Sequence, residues 1–117
     1  MKVKNKKESK KPIEKLLKTV AKLRSPNGCP WDKEQNHKTL KRYLIEEAYE
    51  TIDAIDNNNK HSLMEELGDV LLQVVLHAQI AKENKDFSFD DICNSLNKKM
   101  ISRHPHVFSD TKVKNTE

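Results

Sequence analysis

Between Val70 and Ala81 the chain reads Val-Leu-Leu-Gln-Val-Val-Leu-His-Ala-Gln-Ile-Ala, so a helix drawn through it carries apolar residues on almost every side. Such a helix has to be surrounded. The rest of the 117-residue chain offers few segments with which to do that. The pattern therefore predicts an all-α bundle in which a second copy supplies the missing cover, most simply as a two-fold homodimer. Glycine (2) and proline (4) are scarce and 34% of residues are charged, a composition that also favours helices over turn-rich sheets.

Helical spacing marks three further segments. Pro12, tolerated in a first turn, precedes Ile13, Leu16, Leu17, Val20 and Leu23, which predicts a helix over about 12–24. Leu40, Tyr43, Leu44, Ala48, Ile52 and Ile55 define the apolar face of a second over about 38–57. Ser62 and Glu65 read as a capping box opening the apolar helix, and Ser88 to Asp91 as the start of a last one over about 89–102. The polar break Asn57-Asn58-Asn59-Lys60-His61 is short enough to fold its neighbours back antiparallel. Gly68 weakens its helix, which suggests close approach there by a ligand or another backbone. Gln73 and His77, further along the same helix, read as satisfied core residues.

Of 22 basic and 18 acidic side chains, six lysines and one glutamate lie in the first eleven residues. The remainder then carries 16 basic against 17 acidic groups, so the body is not a basic nucleic-acid domain despite the chain's net charge of +4. Residues 1–11 read as a disordered basic tail whose one sharp role would be weak contact with RNA or an anionic surface, and 110–117 as a flexible tail. The domain is expected over 12–109. No apolar run approaches the roughly 18 residues of a membrane helix. The two cysteines, Cys29 and Cys93, form no disulfide framework, so the expected location is cytoplasmic.

Two acidic clusters stand out from this framework. Glu46-Glu47-Ala48-Tyr49-Glu50 lies on the second predicted helix and Glu65-Glu66-Leu67-Gly68-Asp69 at the start of the third. Glu47 with Glu50, and Glu66 with Asp69, are three apart and share helix faces. Antiparallel packing would bring the four together, where like charges oppose ionisation unless a cation joins them. An all-oxygen ligand set suits magnesium, or manganese, rather than zinc. Acidic pairs on solvated helices are also common, so the clusters gain weight from the dry helix on which one of them sits. Lys99 and Arg103, one turn apart, either favour a helix C-terminus or hold phosphate oxygens. Trp31 is a core plug or a platform for stacking a base. Glu34 and His37 form a single Glu-x-x-His pair, too little for a di-iron site.

Four blocks of this sequence together resemble the MazG-type nucleoside triphosphate pyrophosphohydrolases. They are Gly28-Cys29-Pro30-Trp31-Asp32-Lys33-Glu34-Gln35, Glu46-Glu47-x-x-Glu50, Glu66-x-x-Asp69 with its apolar run, and Arg103-His104-Pro105-His106-Val107-Phe108. The resemblance spans about Ile13 to Val113. It implies an all-α fold interlocked as a dimer and magnesium held by Glu47, Glu50, Glu66 and Asp69. It also implies phosphate contacts from Lys99 and Arg103, and hydrolysis of a nucleoside triphosphate to monophosphate and pyrophosphate. Glu46, or a metal-facing glutamate such as Glu47, would take the proton. Many members carry two tandem copies and continue where this chain stops, so a regulatory nucleotide-binding module with little turnover is the alternative expectation.

Overall fold

The computed structural model describes residues 11–108, and both tails expected from the sequence, apart from Lys11, lie outside that range. The described residues form helices α1 (Pro12–Leu23), α2 (Pro30–Glu34), α3 (Lys41–Asp56), α4 (Lys60–Glu83), α5 (Phe89–Ser102) and α6 (Pro105–Phe108), with no strand among them. The fold is all-α. Helices α1, α3 and α5 each pack against α4.

The antiparallel pairing of α3 and α4 is set by three asparagines. Asn58 takes a left-handed conformation (φ 56°). Its N–H donates to the Ile55 carbonyl at 3.0 Å and that of Asn59 to Ala54 at 3.2 Å, a Schellman closure of α3. Asn59 is at the same time the N-cap of α4, its side chain accepting from the Ser62 N–H. One residue thus ends one helix and begins the next. This corrects the expected cap at Ser62: α4 starts earlier, Ser62 lies inside its first turn, and Glu65 instead pairs with exposed His61 at 3.2 Å. Helix α3 likewise starts later than predicted, because Asn36 and Thr39 bond each other's backbone N–H groups and hold residues 37–40 as a separate turn. The Ser88–Asp91 capping box and the span of α5 are as expected.

The core centres on Val20, Leu40, Val75, Leu76 and Ile80, flanked by Leu16, Leu17, Tyr43, Leu72 and Phe89. It therefore engages only the second half of α4. Met64, Leu67 and Leu71 in the first half are exposed, as are Leu44, Ile45, Tyr49, Ile52 and Ile55 on α3. Burial on nearly all sides is thus met along half of α4 within one chain. The expected inward face of α3 is correspondingly open at Leu44, Ile52 and Ile55.

The segment between α1 and α3 is tied down by one side chain. Arg24 is buried and forks onto Glu83 at the end of α4, Nε to Oε2 at 2.9 Å and Nη2 to Oε1 at 2.8 Å. Its Nη1 donates to the Asp32 and Gln35 carbonyls at 2.6 and 2.9 Å. Those bonds fix α2, an unexpected helical turn inside a proline-bounded loop. Gly28 is required by close approach, since a Cβ there would collide with the Lys22 and Leu23 carbonyls. Gly68 shows the opposite: among the described residues nothing lies within 4 Å of an added Cβ, so none of their backbone closely approaches it.

Candidate active site

Glu47 is on α3, and Glu66 and Asp69 on the first three turns of α4. The tight Asn57–Asn59 link brings these helices side by side, and one carboxylate oxygen from each of the three residues lies within 4.8 Å of the others. Glu47 and Glu66 are half-buried and Asp69 is exposed. Partial burial, then the charges of Asp69, Glu66, Glu50 and Glu46, raises the Glu47 carboxyl above its ordinary value. Partial burial, then Glu50, Asp69 and Glu65, does the same to Glu66. Glu50 is outside the tight group, yet its charge is felt by both half-buried acids. Glu46 is exposed on the neighbouring face, as its position beside Glu47 implies.

An octahedral magnesium ion holds oxygens at about 2.0–2.1 Å, so its ligands lie within about 4.2 Å of one another and a small side-chain rotation would close this group onto one. The donor set is wholly carboxylate, which fits a hard divalent cation. A further oxygen lies nearby in sequence on the same helix face. Gln73, one turn beyond Asp69, is 6% exposed and its Oε1 has no hydrogen-bond partner among the described residues. The core reading of Gln73 holds for its burial and fails for its satisfaction.

His77, the next turn along, does have a partner that the sequence did not indicate. Its Nδ1 lies 2.7 Å from that of His37, with the ring planes within 3° and the centroids 4.9 Å apart. That separation is close to the sum of the contact and two ring radii, so the imidazoles meet nearly edge to edge and share one N–H. Burial and then His37 lower the His77 pKa below its usual value. Nothing in a single sequence signals this pair or the Arg24–Glu83 fork, whose members are 40 and 59 residues apart.

Trp31 is 50% exposed on α2 and meets Tyr43 edge-on, centroids 6.0 Å apart. It is neither a full core plug nor free of the core, since Tyr43 packs against the central cluster. Tyr43 is one turn before Glu47 on α3. Lys99 and Arg103 are exposed at the end of α5 and form no ion pair among the described residues. The cleft that Lys99 lines, with Phe87, Asp91, Ile92, Ser95 and Leu96, contains none of the four candidate metal-facing acids. A single chain thus gathers Glu47, Glu66 and Asp69, with Glu50 in electrostatic range.

A carboxylate group spanning two antiparallel helices of an all-α bundle defines a class of domain whose donor set suits a hard cation. Residues 35–108 match the family model of the MazG nucleotide pyrophosphohydrolase domain, and the chain belongs to that family. It is 58% identical over 99 residues to a Thermotoga maritima protein named nucleoside triphosphate pyrophosphohydrolase/pyrophosphatase MazG, covering 85% of this chain and 39% of the relative. It is 49% identical over 105 residues to the Escherichia coli (strain K12) nucleoside triphosphate pyrophosphohydrolase, covering 89% and 40%. A match to Bacillus subtilis YabN, an uncharacterized protein, is 55% identical over 94 residues and covers 80% of this chain and 19% of that one. The chain thus spans two fifths or less of the length of these relatives.

Proposed function

We propose that this domain hydrolyses nucleoside triphosphates between the α and β phosphates, releasing a nucleoside monophosphate and pyrophosphate. The convergence of Glu47, Glu66 and Asp69 in a domain of this family carries the reading. The names of the Thermotoga and E. coli relatives support it. Glu47, Glu50, Glu66 and Asp69 would hold Mg2+, with Mn2+ as a substitute. When bound, such an ion would supply positive charge to phosphate oxygens and acidify water.

The chain's own part is positioning and proton transfer. Water adds to the α-phosphorus, the bond from that phosphorus to the bridging oxygen breaks, and the water proton passes to a carboxylate. Glu46, exposed and outside the convergent group, is free to accept it, and Glu47 is the other candidate. Trp31, half-exposed beside Tyr43, offers a face for the base. Lys99 and Arg103 are assigned to phosphate. The exposed apolar residues of α3 and the first half of α4 support a homodimer through that surface. No helix among the described residues is long and apolar enough to cross a membrane, in keeping with a cytoplasmic role.

Product analysis tests the reaction. Wild type with magnesium and a panel of ribo- and deoxyribonucleoside triphosphates should yield monophosphate and pyrophosphate, and Asp69→Ala should yield neither. Bound nucleotide without turnover would replace the hydrolase with a regulatory binding module.

A further inference from the structure

Two polar side chains are buried among the described residues, and the fold treats them differently. Arg24 donates to Glu83 and to the Asp32 and Gln35 carbonyls. Gln73, as deeply buried at 6% exposure, has an Oε1 that nothing among the described residues meets. A buried acceptor left unpaired is costly and rare, so this oxygen points to a donor that the described residues do not contain.

Glu66, Asp69, Gln73 and His77 follow one another at steps of three and four along α4 and form a single polar row. The far end of the row is engaged, since the His77 Nδ1 meets that of His37 at 2.7 Å. Side chains of an α-helix lean toward its N-terminus, so Gln73 covers the turn that carries Asp69 and not the one that carries His77. The orphaned oxygen therefore belongs to the acidic end of the row.

The charge of that end suits an amide. Burial and neighbouring acids already raise the Glu47 and Glu66 carboxyls, and a further carboxylate would add to their repulsion. An amide oxygen adds an acceptor without adding charge. A small hard cation keeps several of its waters, and those waters are donors that residues outside the ligand set orient. We propose that Gln73 is a positioning residue of the acidic site, its Oε1 accepting a hydrogen bond from a water in the shell of the cation that Glu47, Glu66 and Asp69 would hold. The inference rests on the cation reading given above. It makes Gln73 a residue that costs the empty fold stability and serves the loaded one.

Mn2+ titration of the full chain, followed by water proton relaxation, tests this together with urea melts in EDTA. Wild type should bind saturably. Gln73→Met, which keeps the shape and removes the acceptor, should bind Mn2+ about tenfold more weakly, while its urea midpoint in EDTA stays level or rises. Gln73→Glu restores an acceptor and should bind within about threefold of wild type or more tightly, with a lower midpoint in EDTA at neutral pH. Gln79→Met, on the same helix but at a residue bonded to Glu83 at 3.2 Å, should change the affinity by less than about twofold. Unchanged affinity in Gln73→Met would assign the orphaned oxygen to a structural water and overturn the inference while the cation reading stands. About tenfold weaker binding by folded Gln73→Glu would overturn it as well, even if Gln73→Met fails to fold, because shape and not the acceptor would then govern binding. Absence of saturable binding by wild type would remove the cation reading and the inference with it.

Discussion

The two halves of α4 are one continuous helix with opposite fates. From Gln73 to Ala81 it is core, with Val75, Leu76, Ala78, Ile80 and Ala81 all 5% exposed or less. From Lys60 to Leu71 it shows Met64, Leu67 and Leu71 to the surroundings and holds Glu66 and Asp69 beside Glu47. The apolar pattern runs through both halves, so periodicity alone cannot tell them apart. What separates them is the placement of the other helices: α1 and the start of α5 converge on the second half, while α3 flanks the acids. The stable half anchors the bundle, and the other half is left open.

The largest expected effect comes from the anchored half. Leu76→Ala should lower the unfolding free energy by about 3 kcal/mol through lost burial and a residual cavity. Leu67→Ala should change it by no more than about 0.5 kcal/mol in dilute solution. Urea melts over a range of protein concentrations check both. If α3 and the first half of α4 form a dimer surface, the wild-type midpoint rises with concentration and that of Leu67→Ala rises less.

Arg24→Ala should cost about 2 kcal/mol, less than a fully buried pair because Glu83 remains 36% exposed to water. The same variant should release α2, visible as faster amide exchange at Asp32 to Gln35. Gly68→Ala sharpens the contrast from the other side. With nothing near the added methyl group, it should stabilise the isolated chain by about 0.8–1 kcal/mol. Loss of dimerisation or nucleotide binding in that variant would show that the expected close approach comes from outside the chain.

The smallest effects distinguish the halves by pH. Hydrogen bonds from Arg24 hold the Glu83 carboxyl below its ordinary value, so its contribution is present above about pH 4.5 and lost as pH falls through the lower folded value. His77 is lowered too, chiefly by burial; its contribution is complete above about 6.5 and lost on acidification. Glu47 and Glu66 are raised, so without a cation they favour the fold below about 4.5 and oppose it as pH rises through their folded values. In EDTA, Glu66→Gln should therefore reduce the loss of stability that sets in as pH rises above about 4.5, and His77→Phe the loss that sets in as pH falls below about 6.5. An unchanged profile in both would contradict these assignments.

Much of this contrast was legible in sequence, but not its boundary. The α1 and α5 spans follow from Pro12 and the Ser88–Asp91 box, because local chemistry decides them. The acidic spacing and the short asparagine link together foretold the meeting of α3 and α4. The start of α4 was misread because Asn59 and Ser62 are both competent caps, and the Schellman closure of α3 selects the first. Arg24 with Glu83 and His37 with His77 depend on contacts between distant segments, for which helical periodicity carries no information. Gln73 looked like core and is buried, yet its unpartnered oxygen is apparent only once its surroundings are known.

The central claim is that the open half of α4, with α3, holds a divalent cation through carboxylates that the fold does not need for stability. Electron paramagnetic resonance of Mn2+ titrated into wild type, Glu47→Gln, Glu66→Gln and Asp69→Asn tests it directly. The account predicts saturable binding by wild type, displaced by magnesium, and at least tenfold weaker in each variant while urea midpoints in EDTA stay level or rise. Equal Mn2+ binding by wild type and all three variants would contradict it.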